Sequence, residues 1–312
     1  MRKVAALAGG VGGAKLALGL ADALPPGALS VVVNTADDFE RHGLRICPDL
    51  DTVLYNLADL AHPEQGWGIA GDTFEALAML GRYGEPTWFK LGDRDLATHI
   101  QRTRLLREGR TLTEVMASLA RCLGVESRVL PMCEEEVATR VETPEGELEF
   151  QEYFVARGAR AEVGAVRYAG VERARPTPEV RQALENAEAI LFCPSNPILS
   201  LGPILAVPGM AELVRRAPGP KVAVSPIVGG KALRGPAAEL MGQLGYEPSA
   251  LGVAGLLLPH LQGFVLDRED ERLAGEVSGL GLSVLVADTV MRAREDKSRL
   301  ARRVLAFAQE LG

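Results

Sequence analysis

The apolar positions of this chain come in short continuous runs separated by glycine, proline and acidic residues. Val4-Ala5-Ala6-Leu7-Ala8 is the first such run, and it stops at Gly9-Gly10. A short apolar run bounded by glycine predicts a strand over residues 3–8, buried on both faces of a parallel sheet. From 14 to 24 the pattern turns helical, with Leu16, Leu18, Leu20 and Leu24 as bulk and Pro25-Pro26-Gly27 as the stop. A second strand is expected at 29–34. Strand, loop, helix and strand in about 30 residues make a βαβ unit with a right-handed crossover. Helices are predicted at 50–60, 73–81, 96–107 and 112–123. Asp72 is the expected N-cap of the second of these, with Glu75 close to a capping box. Residues 87–91 read as a short strand.

Near residue 128 the pattern shifts to strand-like runs at 128–130, 138–142, 147–154 and 162–168, with Thr143-Pro144-Glu145-Gly146 as a hairpin turn. Residues 128–170 are thus a strand-rich subdomain or an antiparallel extension of the sheet. The βα rhythm then returns: helix 178–186, strand 189–193, helix 210–216, strand 221–225, helix 233–244, strands 264–267 and 282–286, and a closing helix at 293–311. The expected fold class is α/β, a Rossmann-like three-layer sandwich with a mostly parallel sheet and a mid-chain strand-rich insertion. The two βα-rich ends share one sheet, so residues 1–312 are expected to form a single α/β domain.

Composition narrows the function classes. At 312 residues the chain buries a full core without staples. A net charge of −7 argues against nonspecific nucleic-acid binding, though not against a nucleotide. The cysteines Cys47, Cys122, Cys133 and Cys193 form no Cys-x-x-Cys pair, which fits a reducing compartment. The first apolar run is a buried strand rather than a signal peptide, and no run approaches the ~18 apolar residues of a membrane span. A cytoplasmic protein with no membrane or nucleic-acid partner is expected.

The chemistry gathers in the first fifty residues. Gly9-Gly10-Val11-Gly12-Gly13-Ala14-Lys15 follows the first strand and resembles two phosphate loops without matching either. A P-loop needs glycine before its lysine and serine or threonine after it, where Ala14 and Leu16 stand. A dinucleotide fingerprint begun at Gly10 needs glycine or alanine where Lys15 stands. The mechanics survive: glycines let backbone N–H groups approach an anion, and a helix N-terminus carries roughly half a positive charge. Lys15 is either a phosphate contact or a solvated first-turn residue. Asp37, Asp38, Asp49 and Asp51 put four carboxylates within fifteen residues, in or beside loops. Magnesium takes such oxygen ligands, and a carboxylate at a helix start is also a common cap.

Further along, Gly92-Asp93-Arg94-Asp95 reads as a ligand loop or as a cap with a surface ion pair. Arg102, Arg104, Arg107 and Arg110 have the mixed spacing of a solvated face. Ser195-Asn196-Pro197 and Ser225-Pro226 each follow a predicted strand, at the edge where open α/β sheets bind ligands. Without a Gly-x-Ser-x-Gly elbow Ser195 is not a nucleophile. His42, His62, His99 and His260 show no metal-ligand spacing.

Taken in order, Leu7–Lys15, Val33-Asn34-Thr35-Ala36-Asp37-Asp38, Cys47-Pro48-Asp49-Leu50-Asp51-Thr52, Leu91–His99, Pro194-Ser195-Asn196-Pro197 and Val224-Ser225-Pro226-Ile227 resemble the signature of the 2-phospho-L-lactate transferase family. The resemblance runs to about residue 236. It implies transfer of a phospho-acid from a guanosine-diphosphate-linked donor to the ribityl hydroxyl of the deazaflavin Fo in coenzyme F-420 biosynthesis. GMP leaves, and magnesium is the cofactor. By resemblance Asp51, Lys90 and Asp93 fall on the deazaflavin side. Gly9, Gly10, Gly12, Gly13, Lys15, Ser195, Asn196 and Ser225 fall on the guanine-nucleotide side. Asp37 and Asp49 fall near the metal, and Asp49 and Asp51 are the catalytic candidates.

A related branch resembling gluconeogenesis factors shares the glycine loop and acidic run, and it implies a nucleotide-sugar-binding regulator instead. Pro48–Thr52 and Leu91–Asp95 resemble the transferases. The broken fingerprint disfavours a nicotinamide dehydrogenase. Nothing in the sequence chooses the lactate, enolpyruvate or glycerate form of the acid. The mid-chain strands offer edges that a second copy can cover in a homodimer.

Overall fold

The computed structural model describes every residue except Arg2 and Arg234. The chain opens with β1 (Val4–Ala8), α1 (Gly10–Ala23) and β2 (Leu29–Val33). Every residue of β1 and β2 is buried, as a central strand covered on both faces requires. A hairpin of β3 (Phe39–Arg41) and β4 (Leu44–Ile46) follows. Its tip is His42-Gly43, both at positive φ (52° and 70°), so the turn has the twist that tight hairpins favour. His-Gly lacks the usual Asn-Gly signature, and this hairpin was not expected from the sequence.

Next come α2 (Pro48–Leu57), α3 (Glu75–Arg82), α4 (Asp93–Arg107) and α5 (Leu112–Cys122). Residues 87–91, read above as a strand, form no strand. Aromatic packing holds them instead: the Phe89 ring meets Phe39 and Trp88 edge-on at 4.8 and 5.9 Å.

The acid caps of α3 and α4 are exchanged relative to expectation. Asp72 accepts from the Arg94 and Asp95 N–H groups at 2.8 and 3.0 Å, and so caps α4. Asp93 accepts from the Glu75 and Ala76 N–H groups, both at 3.0 Å, and so caps α3. The start of α3 is held by an acid of α4, and the start of α4 by an acid from the segment just before α3. Asp72→Ala is expected to cost about 1–2 kcal/mol. It should also speed amide hydrogen exchange in the first turn of α4; unchanged exchange there would remove the cap.

The middle of the chain supplies β5 (Arg128–Pro131), then β6 (Ala138–Thr143), β7 (Gly146–Glu149) and β8 (Ala165–Ala169). β5 joins the central sheet, whereas the other three form a separate antiparallel sheet in the order β7-β6-β8. The strand expected at 147–154 stops at Glu149, and Glu152–Ala156 wind into a helical turn. This insertion packs Val141, Leu148 and Tyr153 against Leu199 and Leu240 of the second half.

That half contains α6 (Pro178–Glu185), β9 (Ala189–Phe192), α7 (Leu201–Ala206), α8 (Met210–Arg216), β10 (Lys221–Val224), the short pair β11 (Ile227–Val228) and β12 (Lys231–Ala232), and α9 (Ala237–Gln243). It ends with α10 (Ala250–Leu257), β13 (Gly263–Asp267), α11 (Ala274–Gly279), β14 (Ser283–Ala287) and α12 (Arg294–Leu311).

The central sheet is seven-stranded and parallel, in the order β14-β13-β10-β9-β1-β2-β5. The first two βα steps run one way from β1 and the later ones run the other way, which is doubly wound topology. Ala6 and Ala8 face a layer made by α1, α2, α5 and α12, while Ala5 and Leu7 face one that includes α6, α8 and α10. The expected α/β sandwich with its mid-chain insertion is therefore the observed fold. Among the described residues no helix is long and apolar enough to cross a membrane.

Candidate active site

The C-terminal ends of β1, β2 and β9 lie level, because Ala8 pairs with Val33 and Leu7 with Phe192. Residues 9–13, 34–38 and 194–200 leave those ends and converge where the strand order reverses. Open α/β sheets bind ligands in that crevice.

The glycines are the start of α1 itself rather than a loop ahead of it. Gly9 is the N-cap and the helix begins at Gly10, four residues earlier than the apolar pattern suggests. The Ser195 hydroxyl accepts from Gly9 N–H at 3.0 Å and donates to the Gly9 carbonyl at 2.8 Å. It thereby locks the loop after β9 onto the start of α1. Asp49 Oδ1 accepts from Gly10 N–H at 2.8 Å. A Cβ on Gly9 would lie 2.6 Å from Asp49 Oδ2, and one on Gly13 would lie 2.6 Å from the Ser195 hydroxyl. The glycines are needed because three segments press on the helix start.

Asn34 is the hub between the acidic segments. Its Oδ1 accepts from Ala36 N–H at 2.9 Å, which turns Nδ2 toward the carboxylates. Nδ2 donates to Asp37 Oδ2 at 2.9 Å, to Asp49 Oδ2 at 3.0 Å and to the Leu199 carbonyl at 3.4 Å. Two N–H bonds are shared among three acceptors. Among the described residues, Asp37 Oδ1 is buried with no hydrogen-bond partner. Burial, then the neighbouring Asp49 charge, pushes the Asp37 carboxyl well above the usual range. Burial raises Asp49 to about 6 against the bonds from Asn34 and Gly10. Burial also raises Asp38 to about 7, although Arg45 Nη2 approaches its Oδ2 at 3.4 Å. Several buried carboxylates with too few donors make a site that attracts a cation.

A second polar cluster lies between α2 and α4. Asp51 turns its carboxylate to α4, where the guanidinium of Arg102 donates to Oδ1. Arg102 is fully buried, so it is no part of a solvated face. Its Nη1 also donates to the Arg45 carbonyl and lies near His99 Nδ1, both at 3.2 Å. The His99 ring stands between two acids, with Nδ1 3.6 Å from Asp51 Oδ2 and Nε2 3.3 Å from Asp95 Oδ1. Asp51, Asp95 and His99 come close enough together to suggest a metal centre. The geometry argues otherwise, because the two imidazole nitrogens face different acids and Arg102 already supplies a cation.

The other predicted site residues separate. Lys90 lines a cavity of about 130 Å³ with Trp67, Phe74 and Asp95. Asp93 is engaged in capping α3, as described above. Lys15 Nζ donates to the Met291 carbonyl at 3.0 Å, toward the segment before α12. Asn196 Oδ1 accepts from the Ile198 and Leu199 N–H groups at 2.9 and 3.0 Å, and so shapes its own turn. The Ser225 hydroxyl is likewise spent within its turn, on Ile227 N–H and the Ile227 carbonyl.

Residues 4–297 match the family described as 2-phospho-L-lactate transferase CofD. The chain belongs to the 2-phospho-L-lactate transferase family. A 2-phospho-L-lactate transferase of Methanosarcina barkeri is 40% identical over 96% of each chain. A phosphoenolpyruvate transferase of Kitasatospora aureofaciens is also 40% identical, over 99% of this chain and 98% of that one. A crystal structure of a UPF0052 protein from Bacillus halodurans superposes with a TM-score of 0.66 at 17% identity, covering 98% of this chain and 99% of that chain. That likeness shows the fold alone.

In this member of the transferase family the polar clusters also hold Asn34, Arg45, His99 and Arg102, which the sequence does not single out as site residues. One signal was available: Asp95, His99 and Arg102 recur at the three- and four-residue spacing of a single helix face. Asn34 carries no such signal, because only the fold brings residues 37 and 49 to its amide.

Proposed function

We propose that this chain transfers a phospho-acid, 2-phospho-L-lactate or enolpyruvyl phosphate, from a guanosine-diphosphate-linked donor to the ribityl hydroxyl of Fo, releasing GMP, in coenzyme F-420 biosynthesis. The observation that carries this reading is the pair Asp37 and Asp49, held by one amide against the start of α1 in a chain of this family. Phosphoryl transfer asks chiefly for positioning and charge neutralisation. The Val11 and Gly12 N–H groups sit in the first turn of α1, where no carbonyl within the helix lies four residues back to take them. With the helix dipole they suit a diphosphate. The Gly9 and Gly10 N–H groups are already engaged, so those glycines shape the crevice.

The residues fit magnesium. Asp37 and Asp49 offer hard oxygen donors, and the partnerless Oδ1 of Asp37 has no hydrogen bond to give up on meeting a cation. When bound there, magnesium would neutralise charge on the diphosphate and the leaving phosphate. On the acceptor side, Trp67 and Phe74 give the cavity beside Lys90 flat apolar walls for a planar ring.

A pH-dependent result follows. Asp49 and Asp38 sit at about 6 and about 7 in the folded chain against an ordinary 3.8. Between those values the folded chain binds more protons than the unfolded chain. This cluster's contribution to stability therefore falls as pH rises through the window. Magnesium competes with the same protons and should raise Tm more at pH 8 than at pH 5. Equal shifts at both values, read by scanning calorimetry, would remove the cluster as the cation site.

The direct test is mass spectrometry of the product formed from Fo and each guanylated acid. The expected product carries one phospho-acid on Fo, with one GMP released. No adduct with any of the acids would sink the reading.

A further inference from the structure

We infer that Arg102 is a positioning residue for the transfer, acting through Asp51; the inference rests on the proposed function. The two oxygens of Asp51 are not equivalent. Oδ1 takes the Arg102 guanidinium. Oδ2 is buried and, among the described residues, has no hydrogen-bond partner. His99 does not fill it. Arg102 Nη1 lies 3.2 Å from His99 Nδ1, and a guanidinium can only donate, so that contact takes the Nδ1 lone pair, while Nε2 faces Asp95 Oδ1 at 3.3 Å. Tyr55 holds that acid from the other side, its hydroxyl donating to Asp95 Oδ1 at 2.6 Å. Arg102 itself is anchored by the Arg45 carbonyl at 3.2 Å. The α2–α4 interface therefore fixes one oxygen of Asp51 and leaves the other buried and short of a donor.

A ribityl hydroxyl is such a donor. In the transfer its oxygen bonds to the phosphorus that bears the acid, and the bond from that phosphorus to the bridging oxygen breaks. The electron pair leaves with GMP, and the hydroxyl proton passes to Asp51 Oδ2 and on to solvent. Held at Oδ1 by Arg102, Asp51 orients the hydroxyl and takes its proton as the new bond forms. Lysine at 102 would keep the charge but not the planar fork that fixes the carboxylate.

The test compares Arg102→Lys, Asp51→Asn and the amide pair Asp51→Asn with Arg102→Gln. Rates are normalised to molecules that bind GDP, which removes any unfolded fraction. Arg102→Lys is expected to lose about 10²-fold in kcat, the scale of a misplaced reacting group, with GDP affinity unchanged. The amide pair should turn over no more slowly than Asp51→Asn, because Arg102 acts only through Asp51. Arg102→Lys with wild-type kcat, or losses that multiply in the pair, would overturn the positioning role. If Arg102→Lys does not fold, the comparison of the amide pair with Asp51→Asn decides. Absence of transfer by the wild-type chain would instead sink the functional reading, and this inference with it.

Discussion

Asp37→Asn should lower turnover by at least ~10³-fold while leaving the metal-free fold as stable as before, or more so. The two effects have one cause. Asp37 is buried, is pushed well above its ordinary pKa by burial and by Asp49, and has one oxygen with no partner. Asparagine keeps the volume and an acceptor for Asn34, and it removes one of two repelling charges. A site that destabilises its own fold and gains from a ligand is the usual trade between stability and activity. Three measurements check this: kcat with Fo and donor, Tm without metal, and the rise in Tm on adding magnesium. The first should collapse, the second should hold or rise, and the third should vanish. Turnover within tenfold of wild type, with magnesium still raising Tm, would show that Asp37 is not a ligand.

The parallel sheet was legible because its strands are fully buried and read as continuous apolar runs between glycines, as at Val4–Ala8 and Leu29–Val33. Failures came where tertiary contacts replace local pattern. Trp88 and Phe89 look like strand residues but pack as an edge-on aromatic pair in a loop. Asp72 has the spacing of an N-cap for α3, yet the fold hands it to α4. The acidic positions of the site were legible because carboxylates crowd into one stretch of sequence. Their partners were not. Arg102 sits among other arginines, and beyond its spacing from Asp95 and His99 only its full burial tells it apart, while Lys15 lies beside a glycine run yet reaches Met291. Composition locates charge, and only packing decides which charge meets which.

Gly12→Ala should destabilise the fold by about 1–3 kcal/mol and weaken guanine-nucleotide binding with it. Helix propensity alone predicts the opposite sign, since alanine is favoured over glycine inside a helix by about 0.8–1.0 kcal/mol. Sterics decide. A Cβ on Gly12 would run into the backbone carbonyl of Pro194, which cannot swing away as a flexible side chain can. To make room, the loop after β9 must retreat from α1, and that retreat opens the crevice where the strand order reverses. It also strains the Ser195 bonds to Gly9 that hold the two segments together. Gly255→Ala is the control. That position lies inside α10, and a Cβ there would meet no neighbouring atom within 4 Å. Propensity should therefore win at 255, and stability should rise by a few tenths to about 1 kcal/mol. Denaturant unfolding of both variants, with GDP titration, checks the pair. If Gly12→Ala were stabilising like Gly255→Ala and bound GDP normally, the close approach of α1 to Pro194 would not be what shapes the crevice.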